Sequence, residues 1–227
     1  MISPASNLMI GQLTPDLYEK LRPSFQLVCL EAEQLIFRPH EVIQYVFFPV
    51  SAIIAMQIDI SDGSSADIVL IGKEGMVGSG VMGGNQNFSR ARVRFAGFAY
   101  NLPLSIFQSE LAQDSAFLRI WMAATRQMIL QIAMPTVCSS KHSNEQQIIR
   151  WIMNTLDKTQ GNTLQITHQE IADILGIRRE SVTLAAGKLS QEGLIEVTRG
   201  HLRVLNRPVL QARAGDCYRF MNPANAH

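Results

Sequence analysis

Residues 167–194, THQEIADILGIRRESVTLAAGKLSQEGL, hold two short helical patterns joined at one glycine, and no other stretch of the chain narrows the choice of fold so far. The first pattern starts on a capping box. Thr167 and Glu170 stand three apart, so their side chains can satisfy backbone N–H groups that the start of a helix leaves without partners. Ile171, Ile174 and Leu175 give this helix one apolar face. Gly176 takes a turn conformation free of any Cβ penalty, and Ala172 is small enough for a second helix to cross closely. In the second pattern Arg178, Arg179, Glu180 and Ser181 fall in the first turn, while Val182, Ala185, Ala186 and Leu189 form the apolar side. Gly193 has the place of a C′ glycine. Leu194, Ile195 and Val197, then Arg199-Gly200, then Leu202-Arg203-Val204, predict a β-hairpin beside the helices. Helix, turn, helix and hairpin in this order predict a winged helix-turn-helix.

A unit of this kind turns the start of its second helix toward the edges of DNA base pairs. An arginine fork donates two bonds to guanine O6 and N7, and a glutamate accepts from cytosine N4. Arg179 and Glu180 are therefore predicted to read a G·C pair, with Arg178 and Thr183 as further base-facing candidates. Thr167, Gln169, Ser181, Lys188, Arg199 and His201 suit phosphate oxygens, which set register without reading sequence. An Arg-Arg-Glu run alone fits solvated ion pairs on a surface helix. The capping box, turn glycine, C′ glycine and hairpin together favour the DNA reader.

The length of 227 residues suits one or two domains, and a second domain ahead of the reader is the expectation. Net charge is only +1, so any nucleic-acid footprint is local. There are 10 basic against 11 acidic residues up to residue 143 and 10 against 8 after it, so the balance shifts from −1 to +2. No long apolar run and no basic leader ahead of an apolar stretch is present, which predicts a cytoplasmic protein with no membrane partner. Cys29, Cys138 and Cys217 are odd in number and widely spaced, so reduced structural thiols are expected and no metal site. Cys138 and His142 stand four apart and would share a helical face, but two ligands make a weak site.

Thr14-Pro15-Asp16 predicts a short helix through about Leu21. Six β-rich stretches follow: Gln34–Phe37, Ile43–Phe48, Ile53–Ile60, Ala66–Ile71, Ala91–Phe95 and Phe98–Leu102. Turn residues such as Asp62-Gly63 separate them, and Arg90, Arg92 and Arg94 alternate with Ala91, Val93 and Phe95. The pattern predicts an antiparallel β-barrel or jelly roll. From Asp114 to about Met134 a helix carries two apolar seams, one of Phe117, Trp121, Ala124 and Met128, the other of Leu118, Met122, Thr125 and Ile129. Two seams need two partners, and a homodimer along this helix supplies one of them. The dimer face is assigned to Phe117, Trp121, Ala124 and Met128. Pro135 is expected to bend or end the helix. Asn144 to Lys158 is a further amphipathic helix with Ile148, Ile149, Ile152 and Leu156 inward. The expected class is α+β, divided into a sensor barrel (1–113), a dimerisation helix with hinge (114–143) and a winged helix-turn-helix (144–227).

A β-barrel, a dimer-type helix and this run from Ile166 to Val182 resemble the Crp/Fnr family of bacterial transcription regulators over nearly the whole chain. The resemblance implies a DNA-binding, non-enzymatic homodimer that reads a pseudo-palindromic operator through Arg179 and Glu180, with RNA polymerase as a further possible partner. Leu184 stands where the cyclic-AMP receptor branch has another base-contacting arginine. In the cyclic-nucleotide branch a Gly-Glu pair grips ribose and an Arg-Ser pair grips phosphate. Here Ser79 replaces the glutamate, and Ser89-Arg90 reverses the second pair. These departures argue against cyclic AMP. The cysteine cluster of iron–sulfur sensors is absent, and His40 alone makes a poor case for haem, so the effector stays unassigned. Gly78–Gly83 matches G-x-G-x-x-G, yet no amphipathic helix follows it and no acidic residue lies between Glu74 and Glu110 to hold a ribose. The rival is a cupin-like β-barrel metalloenzyme or small-molecule-binding protein with an accessory helix-turn-helix. Such a metal site wants clustered histidines, and this region holds only His40.

Overall fold

The computed structural model describes residues 2–59, 65–78, 87–159 and 161–221. They form two compact units, Met1–Ile129 and Leu130–His227. The division falls inside a long helix rather than at either end of it. Asp62-Gly63, Ser79 and the Gly80–Gly83 part of the glycine tract lie outside the described residues.

In the first unit, Thr14 caps helix α1 (Pro15–Leu21), its hydroxyl accepting from the Leu17 N–H, with proline in the first turn. Seven strands follow: β1 (Gln26–Leu30), β2 (Leu35–Phe37), β3 (Tyr45–Pro49), β4 (Ile53–Asp59), β5 (Ser65–Ile71), β6 (Arg90–Phe95) and β7 (Gly97–Pro103). They make two antiparallel sheets, β1-β7-β3 and β2-β6-β4-β5, which share one core. Among the described residues the sheets are separate rather than closed into a barrel, and Val77, which follows β5, forms an isolated bridge with Phe47 of β3. Strand β1 went unread in the sequence because Gln26–Leu30 lacks a clean alternation of apolar and polar residues. Strand β6 shows the expected one: Ala91 and Val93 are fully buried, while Arg90, Arg92 and Arg94 reach Asp59, Glu33 and Asp67.

Helix α2 (Leu104–Gln113) leans on β3 and β7 and leads into α3 (Ser115–Lys141). Asp114 opens α3 by accepting from the N–H groups of Ala116 and Phe117 at 2.7 and 2.9 Å. The helix runs through Pro135 and does not end there. Proline removes one rung of the ladder, and the residues on both sides keep theirs. Of the seam assigned to the dimer, Phe117 is buried and Trp121, Ala124 and Met128 are half-buried within the subunit, packed on its core. The face left open carries Met122 and Ile129, 57% and 58% exposed.

In the second unit, Ser143 and Gln146 form a capping box that starts α4 (Asn144–Lys158). This helix is the spine of the unit: α5 (His168–Leu175), α6 (Arg179–Gln191), α7 (Arg207–Arg213) and α8 (Gly215–Met221) all pack on it. Ile148, Ile149, Ile152 and Leu156 are buried as predicted, each worth about 1.5–3 kcal/mol. Trp151 and Met153 are buried too, because α7 and α8, which the sequence reading missed, cover a second side. Strands β8 (Thr163–Gln165), β9 (Ile195–Thr198) and β10 (His201–Val204) form the sheet β8-β10-β9. Cys138 and Cys217 are joined as a disulfide with Cα atoms 6.5 Å apart, which corrects the expectation that both are free thiols; Cys29 alone is free. The cause is the docking of α8, which brings Cys217 back across 79 residues of chain. Among the described residues no helix is long and apolar enough to cross a membrane.

Candidate nucleic-acid interface

Helix α5 is held at both ends by the residues that announced it. The Thr167 hydroxyl accepts from the Glu170 N–H at 3.2 Å, and the Glu170 carboxylate accepts from the Thr167 N–H at 2.8 Å. At the other end Gly176 sits at φ 64°, ψ 33°, where L residues with a side chain are strained. The chain then extends through Arg178, which caps α6 instead of lying in its first turn as predicted. Its carbonyl accepts from the Ser181 and Val182 N–H groups.

Helix α6 buries Val182, Ala185, Ala186 and Leu189 against α5 and α4. This leaves Arg179, Glu180, Thr183, Leu184 and Gly187 exposed on the opposite side. Leu184 is 75% exposed and points outward with them. Nothing lies within 4 Å of where a Gly187 Cβ would be, so this face is flat and open between its side chains. Arg178, Arg179 and Arg199 form no ion pair among the described residues. Arg199 stands with Gly200, at φ 76°, in the two-residue turn of the β9–β10 wing, and His201 is exposed at the start of β10.

The other predicted phosphate ligands are engaged within the chain to different degrees. Lys188 pairs with Glu145 at 2.7 Å, and the hydrogen bond and charge of that carboxylate raise its pKa. Gln169 donates to Asp173 at 2.7 Å. The Thr167 hydroxyl serves the cap, and Ser181 is half-buried. A phosphate contact by Lys188 or Gln169 requires exchange of these partners.

His168 was not singled out in the sequence and belongs to the site. Its Nδ1 lies 3.1 Å from the Thr183 hydroxyl, which donates to the Arg179 carbonyl at 3.1 Å. The start of α5 is thereby tied to the exposed end of α6. Burial, and then the charge of Arg179, lower the His168 pKa and keep the ring neutral at neutral pH. No local motif marks this role, because it depends on how α5 and α6 cross. At the opposite end of the chain, the Arg90 guanidinium meets Asp59 at 2.6 Å, and the Ser89 hydroxyl bonds to Asn87 at 3.0 Å. Neither stands free as a phosphate ligand.

An exposed, cationic helix end beside a wing defines a helix-turn-helix DNA-binding protein. Residues 146–213 match the family model of the Crp-like helix-turn-helix domain. Similar solved structures extend the likeness across the chain. A CRP-family transcriptional regulator from Thermus thermophilus is 18% identical, covers 83% of this chain and 97% of its own, and has a TM-score of 0.65. FixK2 from Bradyrhizobium japonicum is 15% identical, with coverages of 84% and 98% and a TM-score of 0.68. A putative cAMP-binding regulatory protein from Silicibacter pomeroyi is 17% identical, with coverages of 94% and 97% and a TM-score of 0.65. At these identities the likeness is one of fold. A search of curated protein sequences finds no match. Residues 146–213 thus carry a Crp-like helix-turn-helix domain, and the chain as a whole shares the fold of these regulators. The domain match also favours this class over the cupin-like metalloenzyme.

Proposed function

We propose that the protein acts in the cytoplasm as a homodimer that places the two α6 helices in successive major grooves of a pseudo-palindromic operator, in response to a signal received by the N-terminal unit. One observation carries this reading: Arg178, Arg179 and Glu180 stand exposed at the start of α6, beside the Arg199 wing turn, with both arginines unpaired among the described residues. Arg179 and Glu180 are the base readers, Arg178 and Thr183 flank them, and Arg199 and His201 hold phosphates. Lys188, Gln169, Thr167 and Ser181 contribute where their internal partners give way. Met122 and Ile129, exposed on α3, supply the apolar contact between subunits. Selection from random duplex DNA tests the proposal. The expected product is a two-fold repeat whose half-sites are centred about 10 base pairs apart, or a multiple of that. Enrichment of single, unrepeated sites would contradict the dimer, and no enrichment would contradict sequence-specific reading.

A further inference from the structure

Cys138, His142 and Cys217 meet inside the second unit, although Cys217 lies 75 positions beyond His142. Cys138 and His142 are one helical turn apart, the His142 N–H donating to the Cys138 carbonyl at 2.8 Å. Each residue offers one ligand atom, and the three atoms lie within 4.8 Å of one another. Both cysteines are buried. The His142 ring approaches Cys217, its Nε2 4.0 Å from the sulfur, while its Nδ1 is buried without a hydrogen-bond partner among the described residues. Gly215 makes room for the ring: at φ 76°, a Cβ there would stand 3.2 Å from the imidazole Cε1. An orphaned buried imidazole nitrogen calls for an explanation. Two thiolates and one imidazole are a donor set that zinc-class ions take up. The two thiolates also cancel the charge of a divalent cation, so the loaded site is neutral and tolerates burial.

We propose that in the reduced protein Cys138, His142 and Cys217 bind one zinc-class metal ion, and that the Cys138–Cys217 disulfide is the metal-free, oxidised form of the same site. A dithiol reductant supplies the two electrons and two protons that open the bridge and is itself left as a disulfide. Metal entry then releases both thiol protons to solvent, and the imidazole binds as a neutral base. Three protein ligands leave a fourth position for water. The bound ion joins the last turns of α3 to α8, on either side of the sequence that forms the DNA-reading helices. The proposal does not depend on how the operator is read.

The test uses the full chain, reduced, stripped of metal and kept under argon. Titration with Co(II) is expected to saturate at one ion per chain, with a thiolate-to-cobalt charge-transfer band and tetrahedral visible bands that one equivalent of Zn(II) abolishes. On the same unaltered chain, the melting temperature is expected to rise with free Zn(II), as linkage requires for a ligand of the native state. Cys217→Ser is expected to lose the charge-transfer intensity, His142→Gln to weaken metal affinity by roughly tenfold or more, and Cys29→Ser to change neither. A reduced wild-type chain that takes up no Co(II), or whose melting ignores Zn(II), overturns the proposal and leaves a purely structural disulfide. So does uptake that Cys29→Ser abolishes.

Discussion

Replacing Arg179 with alanine removes one guanidinium from each subunit where α6 begins. The side chain is exposed and forms no ion pair among the described residues, and alanine is the strongest helix former. Its carbonyl still accepts from Thr183. Subunit stability is therefore expected to change by no more than about 0.5 kcal/mol. A bidentate arginine–guanine contact carries about 1–3 kcal/mol of base discrimination. At about 1.4 kcal/mol per factor of ten, that is about 5- to 150-fold for each half-site. Two half-sites double the free energy to about 2–6 kcal/mol, or roughly 30-fold to four orders of magnitude in Kd. The assay is fluorescence anisotropy at one fixed salt concentration, with the selected operator and a set of its symmetric single-pair variants. Arg179→Ala is expected to lose affinity on the preferred operator and to lose none where the G·C pair is already replaced. Circular dichroism and the melting temperature verify that the fold is unchanged. A loss of equal size on every sequence refutes base reading and assigns Arg179 to the phosphates.

Gly176→Ala is expected to destabilise the C-terminal unit by about 1–2 kcal/mol through the left-handed backbone alone, since nothing stands near the new Cβ; thermal melting reads this as a shift of about 4–8 °C per kcal/mol. His168 has a folded pKa below its unfolded value, so the native state resists a proton that the unfolded chain accepts. Its stabilising contribution is present above the ordinary imidazole pKa of about 6.5 and is lost as pH falls through the lowered native value; His168→Gln is expected to flatten that part of a stability-against-pH curve. Glu145→Gln frees Lys188, and nonspecific DNA affinity is expected to rise, with the salt slope steepening by about 0.9 for each additional phosphate that the protein neutralises. Ile129→Asp places a charge on the open face of α3 and is expected to give folded monomers in sedimentation, whereas Trp121→Asp, against the subunit's own core, is expected to unfold the subunit.

The reader was legible in the sequence because each of its signals is local. Thr167 and Glu170 bond to each other's backbone within one turn, Gly176 and Gly193 take positive φ where the helices stop, and Val182, Ala185, Ala186 and Leu189 repeat at helical spacing. Arg178 moved by one residue, from helix to cap, as helix ends commonly do. Strand β1 and helices α7 and α8 went unread for the opposite reason. Their periodicity is weak, and packing holds them: Leu30 under the first core, Leu210, Cys217 and Tyr218 under α4. Lys188 shows the same limit at the site. Its charge suits a phosphate on paper, and only the approach of α4 to α6 discloses the Glu145 that already holds it.

By itself the sequence determined the winged helix-turn-helix, the alternating strands of the first unit and the two apolar seams of α3. Hydrogen bonds within a turn and the periods of helix and strand are written in residues a few positions apart. The tertiary structure alone decided which seam is closed, giving Phe117 and Trp121 to the subunit's core and leaving Met122 and Ile129 open. It also decided that His168 supports the base-reading end of α6, and that Cys217 returns to Cys138 and His142. These contacts join residues far apart in the chain, and their partners are chosen by the faces that neighbouring elements cover.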